Sequence, residues 1–221
     1  MLINADFSRA AVVTPDQYDW TASPQQGVER VMLDRIGAEQ ARATSIVRFA
    51  PDSVFPMHGH PAGEEFFVLS GTFSDASGSF PAGWYVRNPP GSPHAPWSRE
   101  GAILFVKLRQ MTEGNDYPVR IDTRQPSSWQ QWGDRAVCPL FTGTSEAVCL
   151  QRVAPNAVLF AEPIHGAELL VLEGELVVEG QACAHGSWIR LPAGAYPALV
   201  SGASGAMFYL KTGHLTGSVT P

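Results

Sequence analysis

Two stretches decide how this chain folds: FPMHGHPAGEEFFVLSGTF at residues 55–73 and PAGWYVRNPPGSPH at residues 81–94. His58 and His60 are two residues apart, so on a strand both side chains lie on the same face. A third histidine follows a proline-rich turn at the end of the second stretch. Imidazoles that strands and a turn bring together in this way can surround one divalent metal.

A carboxylate completes the candidate site. Glu64 and Glu65 open the apolar run of the first stretch and compete for this role. If Glu64 points inward, strand alternation also turns Phe66 and Val68 inward and turns Glu65 away. We therefore favour Glu64 as the ligand and expect a structural role for Glu65. The candidate metal ligands are His58, His60, Glu64 and His94.

The rest of the chain predicts an all-β fold. Short β-type segments recur about every ten residues with turn residues between them, as in sandwiches and barrels. No segment has a sustained helical period. The predicted strands are 28–35, 43–49, 54–60, 64–73, 84–87, 103–109, 136–141, 146–153, 169–178, 187–191 and 206–211.

The chain also repeats itself. At an offset of 103 residues, EEFFVLSG at 64–71 lies on AELLVLEG at 167–174, and Gly83, Arg87 and Pro89 lie on a glycine, an arginine and a proline. This indicates two tandem copies of one β fold, a 1–112 domain with the metal site and a 113–221 domain. The same offset replaces the four candidate ligands by Ala161, Pro163, Ala167 and Pro197. The second copy is therefore predicted to be degenerate, without metal ligands.

Composition narrows the partners. The net charge is −6, only two of the 15 basic residues are lysines, and no basic run exists, so we expect no nucleic-acid partner. No apolar run is long enough to span a bilayer, and the first residues do not resemble a signal peptide, so a cytoplasmic protein without membrane association is expected. The cysteines, Cys138, Cys149 and Cys183, form no close pair and are interpreted as buried small residues.

These residues resemble the cupins. His58-x-His60-x3-Glu64-x6-Gly71 fits their first motif, although Asp52 stands where that motif begins with glycine. Gly83-x5-Pro89-x-Gly91-x2-His94 fits the second motif, with Ser98 in place of the final asparagine. The resemblance implies one jelly-roll barrel per copy, hence a bicupin, with the four candidate residues as ligands.

Within the cupins, the sequence of residues 58–109 resembles the cupin domain of the ChrR anti-sigma factors. That resemblance implies one divalent metal per chain, with zinc favoured and Fe(II), Mn(II) or Ni(II) as alternatives, and it implies a homodimer. ChrR proteins bind their sigma factor through a separate helical zinc domain. No pattern of that kind precedes Cys138, so we expect this chain not to bind a sigma factor in that way.

Three functions are compatible with these residues. The first, which we favour, is a metal-binding regulatory or sensor cupin that responds to a small ligand. The second is a metal-dependent dioxygenase acting on a diketone-like molecule, and the third is a structural bicupin. We interpret Trp84, Tyr85 and Trp97 as core residues rather than pocket residues, and Arg87 as structural. The sequence identifies no catalytic acid or base.

Overall fold

The computed structural model describes residues 1–38, 40–111 and 117–215. These residues form strands and two 3-10 helices, Pro15–Gln17 and Pro126–Ser128, so the all-β prediction is confirmed. No described helix is long and apolar enough to cross a membrane. The first strands are β1 (Leu2–Ile3), β2 (Ala11–Val13), β3 (Thr21–Ala22), β4 (Val28–Ile36), β5 (Arg42–Phe49), β6 (Ser53–Val54), β7 (His58–His60), β8 (Glu64–Asp75), β9 (Gly78–Pro81), β10 (Trp84–Asn88), β11 (Ser92–His94), β12 (Trp97–Ser98) and β13 (Ala102–Leu108). The others are β14 (Val119–Asp122), β15 (Gln130–Trp132), β16 (Arg135–Thr142), β17 (Ala147–Val153), β18 (Ile164–Val178), β19 (Gln181–Ala184), β20 (Trp188–Gly194) and β21 (Val200–Thr212).

The strands form two compact units. Among the described residues, unit 1 contains 1–5 and 19–125, and unit 2 contains 6–18 and the chain from 126 onward. The division predicted between 112 and 113 falls outside the described residues. That prediction assigned residues 6–18 to the first domain, whereas they form part of unit 2 because β2 pairs with β20.

Both units have the same strand order. The main sheet of unit 1 runs β1-β4-β5-β13-β8-β10-β14, and the sheet of unit 2 runs β15-β16-β17-β21-β18-β20-β2, all with antiparallel pairing. Each unit is a jelly-roll barrel, so the repeat in the sequence is a repeat of the fold. Unit 1 also contains the two-stranded ribbon β7–β11, which carries the three histidines.

Apolar residues at alternate positions fill each barrel. In unit 1, Phe66, Val68 and Phe73 of β8 pack in one cluster with Val86 of β10 and Leu104 of β13. In unit 2 the corresponding strands supply the cluster that contains Leu169, Val171, Ile189 and Phe208. Each fully buried side chain of this size contributes roughly 1.5–3 kcal/mol. The inward position of Phe66 and Val68 is the one predicted from placing Glu64 inward.

In each unit, one edge strand comes from a chain segment that lies among or beside the strands of the other unit in sequence. Strand β2 lies between β1 and β3 of unit 1 along the chain but pairs with β20 of unit 2, and β14 directly precedes β15 of unit 2 but pairs with β10 of unit 1. Side-chain hydrogen bonds hold both segments at equivalent turns. Tyr18 Oη donates to the Gly186 carbonyl, and Thr123 Oγ1 donates to the Gly83 carbonyl. Leading strands are thus exchanged reciprocally.

Candidate metal centre and its cavity

The ribbon β7–β11 brings the three histidines together. His94 lies directly opposite His58 in the register, and His60 follows two residues after His58 on the same face. The ring centroids are 4.8–4.9 Å apart for all three pairs. One nitrogen from each ring lies within 4.8 Å of the other two, an arrangement that could hold a metal ion.

Glu64, the first residue of β8, approaches this cluster. Its Oε2 lies 3.5 Å from His60 Nε2 and 3.7 Å from His94 Nε2. The Asn88 amide donates to Glu64 Oε2 over 3.1 Å, and Arg120 donates to Asn88 Oδ1 over 2.6 Å. The structure therefore brings together all four residues that the sequence proposed as ligands.

Glu65 faces the other side of the sheet. Its Oε2 accepts hydrogen bonds from Arg87 Nη1 and from Tyr85 Oη, both over 2.7 Å. All three residues are buried. Arg87 is 0% exposed and holds a buried carboxylate, which agrees with a structural role. Unit 2 repeats this arrangement with Trp188 as the donor to Glu168 over 2.6 Å.

The histidines are oriented as metal ligands would be. His58 Nδ1–H donates to the Pro56 carbonyl over 3.0 Å, and His94 Nδ1–H donates to Asp75 Oδ2 over 3.2 Å. These bonds fix the tautomer and leave Nε2 as the free acceptor. The Nε2 atoms of His60 and His94 are 3.0 Å apart. This distance is short enough for both nitrogens to bind one ion. The donor set therefore fits a divalent ion.

Burial and neighbouring charges shift the pKa values at this site in different directions. Burial lowers the pKa of His60; the Glu64 carboxylate opposes this shift and the neighbouring histidines add to it. Burial also disfavours charge on His94, but the hydrogen bond to Asp75 and the Glu64 carboxylate raise its pKa overall. Burial would raise the pKa of Asp75, yet hydrogen bonds from His94 and Ser77 bring it down to about 2. Asp75 is therefore an anion that supports His94 from behind.

The four residues line a cavity inside unit 1. Its volume is about 450 Å³, which is within the range of small-molecule sites. Most of its wall is apolar, and Glu64 is the one carboxylate among the described residues that line it. The apolar wall consists of Val28, Ala43, Val47, Phe49, Phe55, Phe73, Pro24, Pro96, Leu104, Val106 and Leu108.

The three aromatic residues near the motifs differ from one another. Tyr85 is buried, and Trp84 packs against the core of unit 1, as predicted. The prediction for Trp97 is wrong, because this side chain is 41% exposed. It lies on the two-residue strand β12, opposite the exposed Val54, and a strand this short leaves the indole at the surface. None of the three lines the described cavity.

The cysteines are free thiols, and two of them, Cys138 and Cys183, are buried. Burial raises the pKa of Cys138 to about 12 and that of Cys149 to about 11, so these thiols stay protonated. Within the described part of the chain, the histidine cluster of unit 1 is the one group of side chains that could hold a metal.

Comparisons with known proteins support the fold. Residues 8–112 match the family model of the ChrR Cupin-like domain. The chain has the cupin fold. Among solved cupin-fold structures, a Nostoc punctiforme protein with a provisional dioxygenase assignment is 15% identical, with a TM-score of 0.75 over 96% of this chain and 86% of its own. The nickel(II) complex of the pirin YhhW from Escherichia coli is 12% identical, with a TM-score of 0.64 over 92% of this chain and 98% of its own.

A third structure with the cupin fold is oxalate decarboxylase from Bacillus subtilis, which contains Mn(II) centres. It is 14% identical, with a TM-score of 0.58 over 91% of this chain and 76% of its own. No significant match was found among curated proteins. At these identities the solved structures establish the fold and leave the activity to be argued from the site.

Both departures from the cupin motifs have structural explanations. Asp52 replaces the leading glycine and adopts φ of 58°, the left-handed conformation that glycine allows and that aspartate tolerates better than most residues. Ser98 replaces the final asparagine, and its buried hydroxyl donates to the Thr72 carbonyl over 2.7 Å. Neither departure disturbs the four candidate ligands.

Proposed function

We propose that unit 1 binds one divalent metal through His58, His60, Glu64 and His94, and that a small molecule in the adjoining cavity meets that metal. The convergence of three imidazoles with one carboxylate on the wall of a 450 Å³ cavity carries this proposal. We favour zinc for the ion. Fe(II), Mn(II) or Ni(II) would use the same donors with positions left for an oxygen ligand.

Each protein group has a defined task in this proposal. The three Nε2 atoms and the Glu64 carboxylate hold the ion, and Asp75, the Pro56 carbonyl and Asn88 keep them in place. The apolar walls exclude water and hold the organic part of the small molecule. A bound divalent ion supplies Lewis-acid or redox chemistry at the cavity wall.

A sensor or regulatory role is the use of this site that we favour. The match of residues 8–112 to the ChrR Cupin-like domain supports it. The cavity also offers no carboxylate other than Glu64 among the described residues that line it, and no histidine outside the cluster. A site that holds a ligand without an independent acid or base suits recognition better than proton-transfer catalysis.

A dioxygenase that cleaves a diketone is the second candidate. It is favoured by an apolar cavity directly against the histidines, because such a reaction requires an organic substrate to lie beside the metal. A structure with the same fold carries a provisional dioxygenase assignment. This reaction needs oxygen and a redox-active ion, which separates it experimentally from the sensor.

Metal content tests the site itself. Protein purified without added metal, and again after reconstitution with Zn(II), is expected to hold about one divalent ion per chain by elemental mass spectrometry. His60→Ala should lose most of that metal and keep its fold, because the barrel of unit 2 forms without ligands. His165→Ala is the matched control, since His165 is an exposed histidine in unit 2. Full occupancy in His60→Ala would show that the ligands are assigned wrongly.

Oxygen uptake separates the two candidates. With Fe(II)-reconstituted protein and acetylacetone, the sensor predicts ligand binding without oxygen consumption. Consumption of oxygen that depends on the diketone, and that His60→Ala abolishes, would establish the dioxygenase instead.

A further inference from the structure

A second polar region of the cavity lies on strand β4. Arg30 and Arg35 both line the cavity that the metal cluster also lines. They are five residues apart, so on a regular strand they would point to opposite faces. The pairing of β4 with β5 shifts between Met32 and Asp34, where Leu33 is the extra residue of a β-bulge. The bulge restores Arg35 to the inner face, so that both arginines line the cavity.

Arg30 is the arginine of this pair with a donor that lacks a described partner. The Arg35 guanidinium donates to the Ala38 carbonyl, so it is committed to the protein. Arg30 Nε is buried, and within residues 1–38, 40–111 and 117–215 it has no hydrogen-bond partner. An unmade hydrogen bond of a buried charged group is costly. By contrast, Arg48, on the outer face of the neighbouring strand, forms a 2.7 Å ion pair with Glu29.

The charges on the wall favour an anion. Two arginines face one carboxylate, Glu64, and Asn88 and the histidines already engage that carboxylate. A divalent metal would increase the positive charge further. The rest of the described wall is mostly apolar, with Val47, Phe49 and Leu104 among its members.

We propose that the ligand of this cavity is a small carboxylic acid with an apolar body and a second oxygen donor. Its carboxylate pairs with Arg30, and its other oxygen faces the His58, His60 and His94 cluster. Arginine suits this role because its planar fork binds a carboxylate through two parallel hydrogen bonds. This inference rests on the proposed small-molecule function and names the class of molecule.

Dicarboxylates and their monoamides test the inference. The two molecules of each pair have the same length and share one carboxylate, and they differ only in whether the other end is a carboxylate or an amide. Binding of glutarate, adipate and their monoamides to Zn(II)-loaded full-length protein is measured by isothermal titration calorimetry. For at least one length, the wild type is expected to bind the dicarboxylate about tenfold more tightly than the monoamide. In Arg30→Gln this ratio should fall below about threefold, and Arg30→Lys should give an intermediate ratio.

Arg48→Gln is the matched control, since it removes an arginine of the same barrel that does not line the cavity, and it should keep the tenfold ratio. Metal content and the melting temperature are measured on every preparation. Equal affinities for acid and amide in the wild type, a retained ratio in Arg30→Gln, or no binding of any probe would each overturn the inference.

The metal proposal and the inference about the ligand can fail independently, and the measurements distinguish the two cases. A protein that binds no metal, but whose preference for the acid still depends on Arg30 in the metal-free state, would keep the inference and remove the metal. A protein that holds one metal per chain and shows no preference for the acid would do the reverse.

Discussion

Asp75 shows how a residue outside the metal-binding motifs supports the candidate site. It is the last residue of β8, where its Oδ1 accepts hydrogen bonds from the backbone and hydroxyl of Ser77, and its Oδ2 accepts from His94 Nδ1. The carboxylate thus holds the turn and the imidazole together. Outer partners of this kind orient a ligand and increase its basicity.

Asp75→Asn should therefore weaken metal binding without removing the site. The amide keeps an acceptor for His94 but loses the negative charge, so we expect about a tenfold loss of Zn(II) affinity, at the lower end of such effects. Competition with a chromogenic chelator measures the affinity. Asp134→Asn is the control, because the Asp134 side chain is 72% exposed and remote from the metal-binding motifs in sequence. An unchanged affinity in Asp75→Asn would mean that its contact with His94 is incidental.

Sequence spacing was sufficient to propose the four ligands, because a strand, a turn and a short ribbon impose the distances between them. It could not identify Asp75, Asn88 or Arg120, whose contacts depend on how separate strands pack. Arg30 was also missed. Apolar and polar residues alternate only moderately along its strand. In addition, the bulge at Leu33 that places both β4 arginines inward has no clear sequence pattern.

At the scale of elements, the long strands β8 and β18 deviate from regular pairing at the same point. Each has a register shift, and a glycine with φ of 67° follows it, Gly71 in unit 1 and Gly174 in unit 2. A Cβ atom at these glycines would lie 2.0 Å from the Gly101 carbonyl oxygen and 2.1 Å from the Gly205 carbonyl oxygen. The close approach of two backbones explains why both copies have glycine there.

Gly71→Ala and Gly174→Ala should each destabilise the protein strongly. A left-handed alanine costs about 1–2 kcal/mol, and the backbone clash adds to that cost. Gly180→Ala is the matched control, with φ of 84° and no atom within 4 Å of the added Cβ, so it bears the conformational cost alone. Urea unfolding should rank both variants below the control by more than about 1 kcal/mol. Equal losses in all three would show that the backbones separate easily at this point.

The repeat of 103 residues predicted these paired strands and aligned the two glycines, because turn and strand patterns survive duplication. The bulges were not predictable. Each bulge inserts one extra leucine, Leu69 or Leu172, that has no partner in the facing strand. Because this leucine lies inside an apolar run, the sequence does not show where the alternation is interrupted.

At the scale of the whole molecule, the exchange of leading strands is the main feature that the sequence did not predict. The sequence predicts no strand before residue 28, because β2 has only three residues and its partner β20 begins at Trp188. A strand this short has no recognisable alternation. The equivalent segment β14 also has only four residues. Local patterns contain no information about which sheet such a segment joins.

Amide hydrogen exchange tests directly whether β2 pairs with β20 and β14 pairs with β10. Tyr18→Phe removes the hydroxyl that donates to Gly186, so amides of β20 should exchange several-fold faster while those of β10 keep their protection. Thr123→Val removes the hydroxyl that donates to Gly83 and should have the mirror-image effect. Mass spectrometry of peptides that cover 84–88 and 188–194 reads both results. If Tyr18→Phe deprotected β10 instead of β20, or if neither variant changed the protection of either strand, the assignment of these segments would be contradicted.

The pairing of β2 with β20 also constrains how the protein is made. Val13 leaves the ribosome long before Trp188, its partner in the register. At synthesis rates of roughly 5–20 residues per second, the 175 residues added after Val13, up to and including Trp188, take about 9–35 s. During that time β2 has no strand to join, although the first barrel can already close around its histidines. Strand β2 is thus ordered long after it is made, and the nascent chain has to keep it from other partners until β20 has been synthesised.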